Sequence, residues 1–207
     1  MSDSAGPLSS VKGSDQRPEH PDFWCKRFSA GVTPWDAGKV PDQLVEFVRH
    51  HPAPAAVLIP GCGSAWEAGF LAQQGWPVTA LDFSPQAVAR AGEVLHGLAV
   101  DLVCDDFFTF EPRRPHPIIY ERAFLCALPR KLWDDWGLRV AGLLPRGGVL
   151  VGFFFVCDQL KGPPFGILPD QLQALLAPNF DCVTDVPASD SIPVFAGRER
   201  WQVWRRR

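Results

Sequence analysis

Apolar residues along this chain fall into short runs of strand length, separated by stretches in which they recur every three or four positions, the spacing of a helix face. The first run, residues 55–59, passes through Pro60-Gly61-Cys62-Gly63-Ser64 into about three helical turns, and a second run closes on Asp82. Ser84-Pro85 then offers an N-cap and a proline at the first helical position, with Ala87, Val88, Ala91, Val94 and Leu95 on one face. Further strands are expected at 102–104, 117–120, 149–156, 182–186 and 200–204, and helices at 132–144 and 169–176. The run at 149–156 is apolar throughout, as in a strand covered on both faces. This alternation, without an internal repeat, predicts an α/β chain: a mostly parallel seven-stranded sheet with helices on both faces and an antiparallel edge strand.

Ahead of the first strand the pattern changes. Residues 1–22 are rich in Ser, Gly, Pro and charge, so a disordered tail is expected there, one that orders only when a ligand is present. Residues 23–50 carry Phe23, Trp24, Phe28 and Trp35, too many rings for a linker, followed by helical spacing at Leu44, Val45, Phe47 and Val48. They read as an aromatic cap and a docking helix belonging to one domain over 23–207. The length of 207 residues suits one substantial core, and no apolar segment approaches the ~20 residues that span a bilayer. A net charge of -3 gives no general attraction to nucleic acid or anionic membrane. The six cysteines are dispersed, with no C-x-x-C pair, and the five histidines are scattered, so no metal site is expected. No apolar block of the secretory kind occupies the first 20 residues, and a cytoplasmic monomer acting on a small molecule is expected.

In a parallel sheet, ligands bind beyond the carboxyl ends of the strands. That rule nominates Gly61, Cys62, Gly63 and Ser64, then Asp82-Phe83, 105–108, Glu121-Arg122 and 155–158. Gly61 and Gly63 permit a sharp turn and close approach of a ligand, and Asp82 can accept hydrogen bonds from ribose hydroxyls. A dinucleotide fingerprint would place a third glycine where this chain has Trp66, which disfavours a pyrophosphate and suits S-adenosylmethionine, a nucleoside without phosphate. Asp106 offers an acceptor to an adenine amino group and Phe107 a ring to cover its face. The plainer alternative is an ordinary strand-to-helix turn, with Ser64 as N-cap and Asp82 opening the next helix.

The motifs Trp35-Asp36 in GVTPWDAG, PGCGSAWE, LDFS, DDFFTF, YERAFLCALP, GPPF at 162–165 and DSIPVFAGRE at 190–199 resemble, in that order, the thiopurine S-methyltransferase-like family of class I S-adenosylmethionine-dependent methyltransferases. The resemblance spans about 23–204 and is strongest toward the halide and thiol methyltransferases. It implies the Rossmann-like class I methyltransferase fold, S-adenosyl-L-methionine as cofactor, and cofactor positions at Gly61, Gly63, Asp82, Asp106 and Phe107, with Trp35 covering the cofactor. Trp24 of the aromatic cap, and Cys62, Phe83 and Glu121 at the strand ends, complete the expected cofactor set. Arg122 falls on a basic residue placed near the acceptor in the thiopurine enzymes.

Methyl transfer from a sulfonium needs alignment and exclusion of water more than acid-base groups, which fits a chain without a Cys/His or Ser/His/Asp set. Thiols, thiopurines, halides and selenium or tellurium species are the expected acceptors, with Arg122 holding anionic ones. GPPF lacks the Asn or Asp with which amine methyltransferases hold an exocyclic amine, and its prolines are expected to stiffen a loop over the acceptor pocket. The remaining alternatives are a nicotinamide-dependent oxidoreductase and a non-catalytic S-adenosylmethionine-binding protein on the same scaffold.

Overall fold

The computed structural model describes residues 17–207. In chain order the elements are α1 (Pro21–Ser29), α2 (Asp42–His50), β1 (Val57–Pro60), α3 (Trp66–Gln73), β2 (Val78–Asp82), α4 (Pro85–Val94), β3 (Val100–Cys104), β4 (Ile118–Arg122), α5 (Trp133–Leu143), β5 (Val149–Phe155), α6 (Pro169–Leu176), β6 (Phe180–Pro187) and β7 (Glu199–Arg206). The strands form one sheet in the order β3-β2-β1-β4-β5-β7-β6. β1 to β5 run parallel, while β7 pairs antiparallel with both β5 and β6, so the reversed strand lies one in from the edge.

Successive side chains of each strand go to opposite faces. On one face Leu58, Ile119, Leu150 and Phe154 bury Trp136 and Val140 of α5 and Leu172 and Leu176 of α6. On the other, Val57, Ile59, Ile118 and Val151 pack against Leu44 of α2, Leu71 of α3 and Ala91 of α4. Cover on both faces is why the strands read as unbroken apolar runs rather than alternating ones. α4 starts as its residues dictate: Pro85 occupies the first turn and the Ser84 hydroxyl accepts from Ala87 N at 3.2 Å.

Several boundaries differ from the sequence expectation because pairing extends them. β3 starts at Val100, which registers with Val78, and β4 runs on to Arg122, opposite Phe153. β6 and β7 are eight residues each, since they zip together along their length.

The tail expected over 1–22 requires a correction at its C-terminal end, and residues 1–16 lie outside the described ones. α1 already begins at Pro21, a favoured first-turn residue, and Trp24 Nε1 reaches back to donate to Pro18 O at 2.8 Å. Glu19 meets Lys131 Nζ at 2.7 Å, tying this start of the chain to the segment before α5. Rings then link α1 to the following loop: Trp24 and Phe28 each meet Trp35 edge-on, at 5.3 and 5.9 Å.

Candidate active site

At the carboxyl ends of β1, β2 and β4 opens a cavity of about 1070 Å³, roofed by α1 and the loop after it. This is at the upper end of ordinary ligand sites, ~300–1,000 Å³. Its floor is the loop after β1. Gly61 has φ +61°, and a Cβ there would stand 2.4 Å from the Phe124 ring, so both conformation and space require glycine. Gly63, at φ +53°, continues the turn and donates its N–H to Asp82 Oδ2 at 3.0 Å.

The other oxygen of Asp82 accepts from Ser84 N at 2.9 Å. Asp82 therefore clamps the glycine loop to the start of α4, combining the ligand-site and the plain-turn readings in one side chain. Burial pushes its carboxyl up to about 6, against the pull of those backbone donors. Ser64, by contrast, does not cap α3: Ala65 stands at the cap position with φ 61°, and the Ser64 hydroxyl donates to Asp36 Oδ2. Trp66 Nε1 donates to Asp36 Oδ1 at 2.9 Å. One carboxylate thus joins the aromatic cap to the helix that follows the glycine loop.

Ten of the eleven nominated site residues meet in this cavity: Trp24, Trp35, Gly61, Cys62, Gly63, Asp82, Phe83, Asp106, Phe107 and Arg122. Burial pushes the Cys62 thiol well up, which keeps it protonated and unreactive. Asp106 Oδ1 holds Phe108 N at 2.9 Å, shaping the turn after β3, and the Phe107 ring packs edge-on to Phe124 at 5.2 Å. Glu121 is the exception and is corrected here. Its side chain goes to the opposite face of the sheet, where Oε1 accepts from Phe124 N (2.9 Å) and Leu125 N (3.0 Å) and Oε2 is buried without a partner. Adjacent residues of a strand cannot share a face, so Arg122 in the cavity sends Glu121 away from it.

Arg122 lies over the Phe153 ring at 4.3 Å, with Nε 4.0 Å from Glu67 Oε1. Burial pulls its guanidinium down, yet Tyr120, Glu199, Glu67 and Asp190 together hold it above its ordinary range. Residues 155–158, expected beyond β5, are also corrected: the chain at 190–199 covers that strand end, with Val156 N bonded to Arg198 O at 2.7 Å and Phe155 against Phe195 at 5.4 Å. Phe195 and the GPPF prolines Pro163 and Pro164 reach the cavity instead.

Sequence reasoning assigned no role to Asp36, Glu67 or Phe124, all three on the cavity wall. All three stand inside the motifs of the family resemblance, Asp36 in GVTPWDAG, Glu67 in PGCGSAWE and Phe124 in YERAFLCALP. Glu67 reads as an acid in a first helical turn and Phe124 as core, so neither announces itself.

The wall fits a nucleoside with a cationic centre. Asp36, Glu67, Asp82, Asp105 and Asp106 supply acids around the glycine loop, residues 61–64 carry no cation, and a third glycine for a pyrophosphate is absent. Among the described residues, no three His, Cys, Asp or Glu side chains converge as a metal set would. No helix among them is long and apolar enough to cross a membrane.

The family model for thiopurine S-methyltransferase (TPMT) matches residues 19–207. A probable thiol methyltransferase 2 of Arabidopsis thaliana is 29% identical over 190 residues, 88% of this chain and 84% of that protein. A thiopurine S-methyltransferase of Pseudomonas syringae pv. tomato is 30% identical over 194 residues, covering 84% of this chain and 88% of its own. Among solved structures, the 1,6-didemethyltoxoflavin-N1-methyltransferase of Burkholderia thailandensis, crystallised with S-adenosylhomocysteine, aligns with a TM-score of 0.74 at 17% identity, over 98% of this chain and 93% of that one. That likeness is one of fold.

Proposed function

The chain belongs to the thiopurine S-methyltransferase family and is an S-adenosylmethionine-dependent methyltransferase acting on small nucleophiles, and from that premise we propose that its acceptor is a soft sulfur, selenium, tellurium or halide species. The observation that carries this reading is the stretch of cavity wall formed by Phe124, Leu128, Pro163, Pro164 and Phe195, with the Arg122 guanidinium on the same cavity. Apolar walls favour a weakly hydrated nucleophile, and no Asn or Asp stands in GPPF to hold an amine.

Bound S-adenosylmethionine supplies a methyl group already activated on a sulfonium. This chain's residues hold, align and dry. Asp82 and the glycine loop would hold the ribose end, Asp106 and Phe107 the adenine, and Trp24 and Trp35 would close over the cavity from α1 and its loop. Arg122 would orient an acceptor that carries negative charge, its buried Nη1 having no hydrogen-bond partner of its own. The same reading has the protein act in the cytoplasm as a monomer of 22.9 kDa, without nucleic acid or metal, with light scattering and chelator insensitivity as checks.

A turnover screen with labelled donor, offering thiols, thiopurines, iodide and selenite, tests the acceptor class. Arg122→Ala is expected to lower kcat/KM for anionic acceptors about 10-fold or more, the scale of one charge-assisted bond, while leaving S-adenosylhomocysteine affinity nearly unchanged. Efficient methylation of an amine with none of thiols or halides would overturn the reading.

A further inference from the structure

Glu67 stands in the first turn of α3 and forms part of the cavity wall, as Arg122 does at the end of β4. The pair is loose. Arg122 Nε is 4.0 Å from Glu67 Oε1 without a hydrogen bond, and the two side chains are 11% and 14% exposed. Arg122 Nη1 is buried and unpartnered. Arg122 therefore lines the cavity with a loosely held counter-ion, and a second anion brought to it would sit beside the carboxylate already there.

We propose that Glu67 and the anionic form of the acceptor are alternative counter-ions of Arg122, so that Glu67 sets the charge class of the acceptor and takes the proton of a thiol. This rests on the soft-nucleophile reading above. A thiol enters uncharged; its S–H proton passes to a Glu67 carboxylate oxygen, and the sulfur left negative faces Arg122. The new S–C bond forms as the methyl's bond to the donor sulfur breaks, that electron pair staying on the donor sulfur, and Glu67 then releases its proton to water. Before and after proton transfer the guanidinium faces one anion inside the cavity, with Glu199 and Asp190 acting on it from outside. Iodide, which brings its charge with it, requires Glu67 to be protonated first.

Other groups act on this pair, and two of them, the Tyr120 hydroxyl and Glu199 Oε2, are buried without a hydrogen-bond partner. Asp36 reaches the cavity, but both its oxygens are taken by Ser64 and Trp66. Glu67 acts on Cys62, on the glycine loop, and on Tyr120, on β4, and both of these are buried and held protonated. Glu199 on β7 and Asp190 act on Arg122 from outside the cavity, and Asp190 Oδ2 already holds Lys39 and Asp42 N. Of the groups that act on Arg122, Glu67 is the one on the cavity wall. Burial raises its carboxyl above the usual range, Arg122 opposing, which moves its titration toward the working pH.

The experiment compares wild type with Glu67→Gln in the full chain from pH 5.5 to 8.5. Calorimetry follows iodide binding to protein saturated with S-adenosylhomocysteine, and labelled donor follows turnover of iodide and of an uncharged aliphatic thiol. In wild type, iodide affinity should fall about 10-fold per pH unit above the Glu67 titration, whereas thiol kcat/KM should rise and level off well below the thiol's own pKa. In Glu67→Gln, iodide affinity should lose its pH dependence and be tighter than in wild type at every pH above the Glu67 titration. Thiol kcat/KM should drop by about 10²-fold and keep rising to the thiol's pKa, because only preformed thiolate then reacts.

Parallel loss of iodide and thiol turnover, unchanged iodide binding, or weakened S-adenosylhomocysteine binding would overturn the proposal; the last would place Glu67 on the cofactor. Should the variant not fold, the opposed wild-type pH trends of iodide and thiol still decide. Wild type that binds S-adenosylhomocysteine yet methylates none of the acceptors would instead overturn the acceptor reading above.

Discussion

Asp82 and Glu121 show at single-residue scale how a buried acid is used and what it costs. Each carboxylate accepts two backbone N–H groups, and each is nonetheless pushed up by burial, to about 6 and about 7. A raised carboxyl pKa means that the native state binds the proton more tightly than the unfolded chain. Stability from Glu121 is therefore greatest below its unfolded value of 4.5 and is lost as pH rises through about 7. Glu121→Gln keeps an acceptor for Phe124 N and Leu125 N without the charge. Relative to wild type it should gain about 1–3 kcal/mol between pH 5 and 8, read from urea midpoints at several pH values. A difference that stays flat over that range would remove the buried charge as its cause. At Asp82 the two bonds shape the cofactor loop itself. Asp82→Ala should weaken S-adenosylhomocysteine by about 1.5–3 kcal/mol, the scale of a lost bond to a charged group. Calorimetry returning wild-type affinity would take Asp82 out of the site.

At the scale of elements, three polar clasps join α1 and the loop behind it to the α/β body, beside the packing of α1, with its buried Phe23, against α4. Asp36 holds Ser64 and Trp66, Lys39 holds Asp190, and Lys131 holds Glu19. The Lys39 and Lys131 ion pairs have exposed lysines, and contacts of that kind contribute little, ~0–1 kcal/mol each. Asp36 is the partly buried one, with three donors, Gly38 N, Ser64 Oγ and Trp66 Nε1, on one charge. Asp36→Ala should therefore loosen the cap without unfolding the sheet. Hydrogen exchange in residues 21–40 is expected to rise while β1 and β4 stay protected, and cofactor-product affinity should fall with it. Exchange rising evenly across cap and sheet would show that the cap is part of the global folding unit instead.

For the whole molecule, the cavity is assembled from segments as distant as Pro18 and Phe195, so a ligand in it ties together the cap, the glycine loop, the turn after β4 and the loop before β7. Ligand binding to the native state alone adds stability by mass action, about 2.7 kcal/mol at 100 times Kd. In a chain of 207 residues, S-adenosylhomocysteine at that excess should raise Tm by about 5–10 °C. Scanning calorimetry checks this, and NADH in its place should give no rise.

The order of strands and helices, the cover on both sheet faces, the glycine loop and the acid closing β2 were all determined locally. Apolar periodicity, Ser84-Pro85 and Gly61-Cys62-Gly63 act within a few residues of themselves. What a side chain meets across the fold was decided by tertiary structure. Glu121 and Arg122 read alike at a strand end, but the pleat sends one under the turn after β4 and the other into the cavity. Ser64 had the identity of a helix cap and serves Asp36 instead, because the loop before α2 lies against it. The pairing of Glu67 with Arg122 joins a helix start to a strand end 55 positions later. Sequence spacing specifies local periodicity and turns; which charges share one buried space follows only once the sheet has brought its carboxyl ends together.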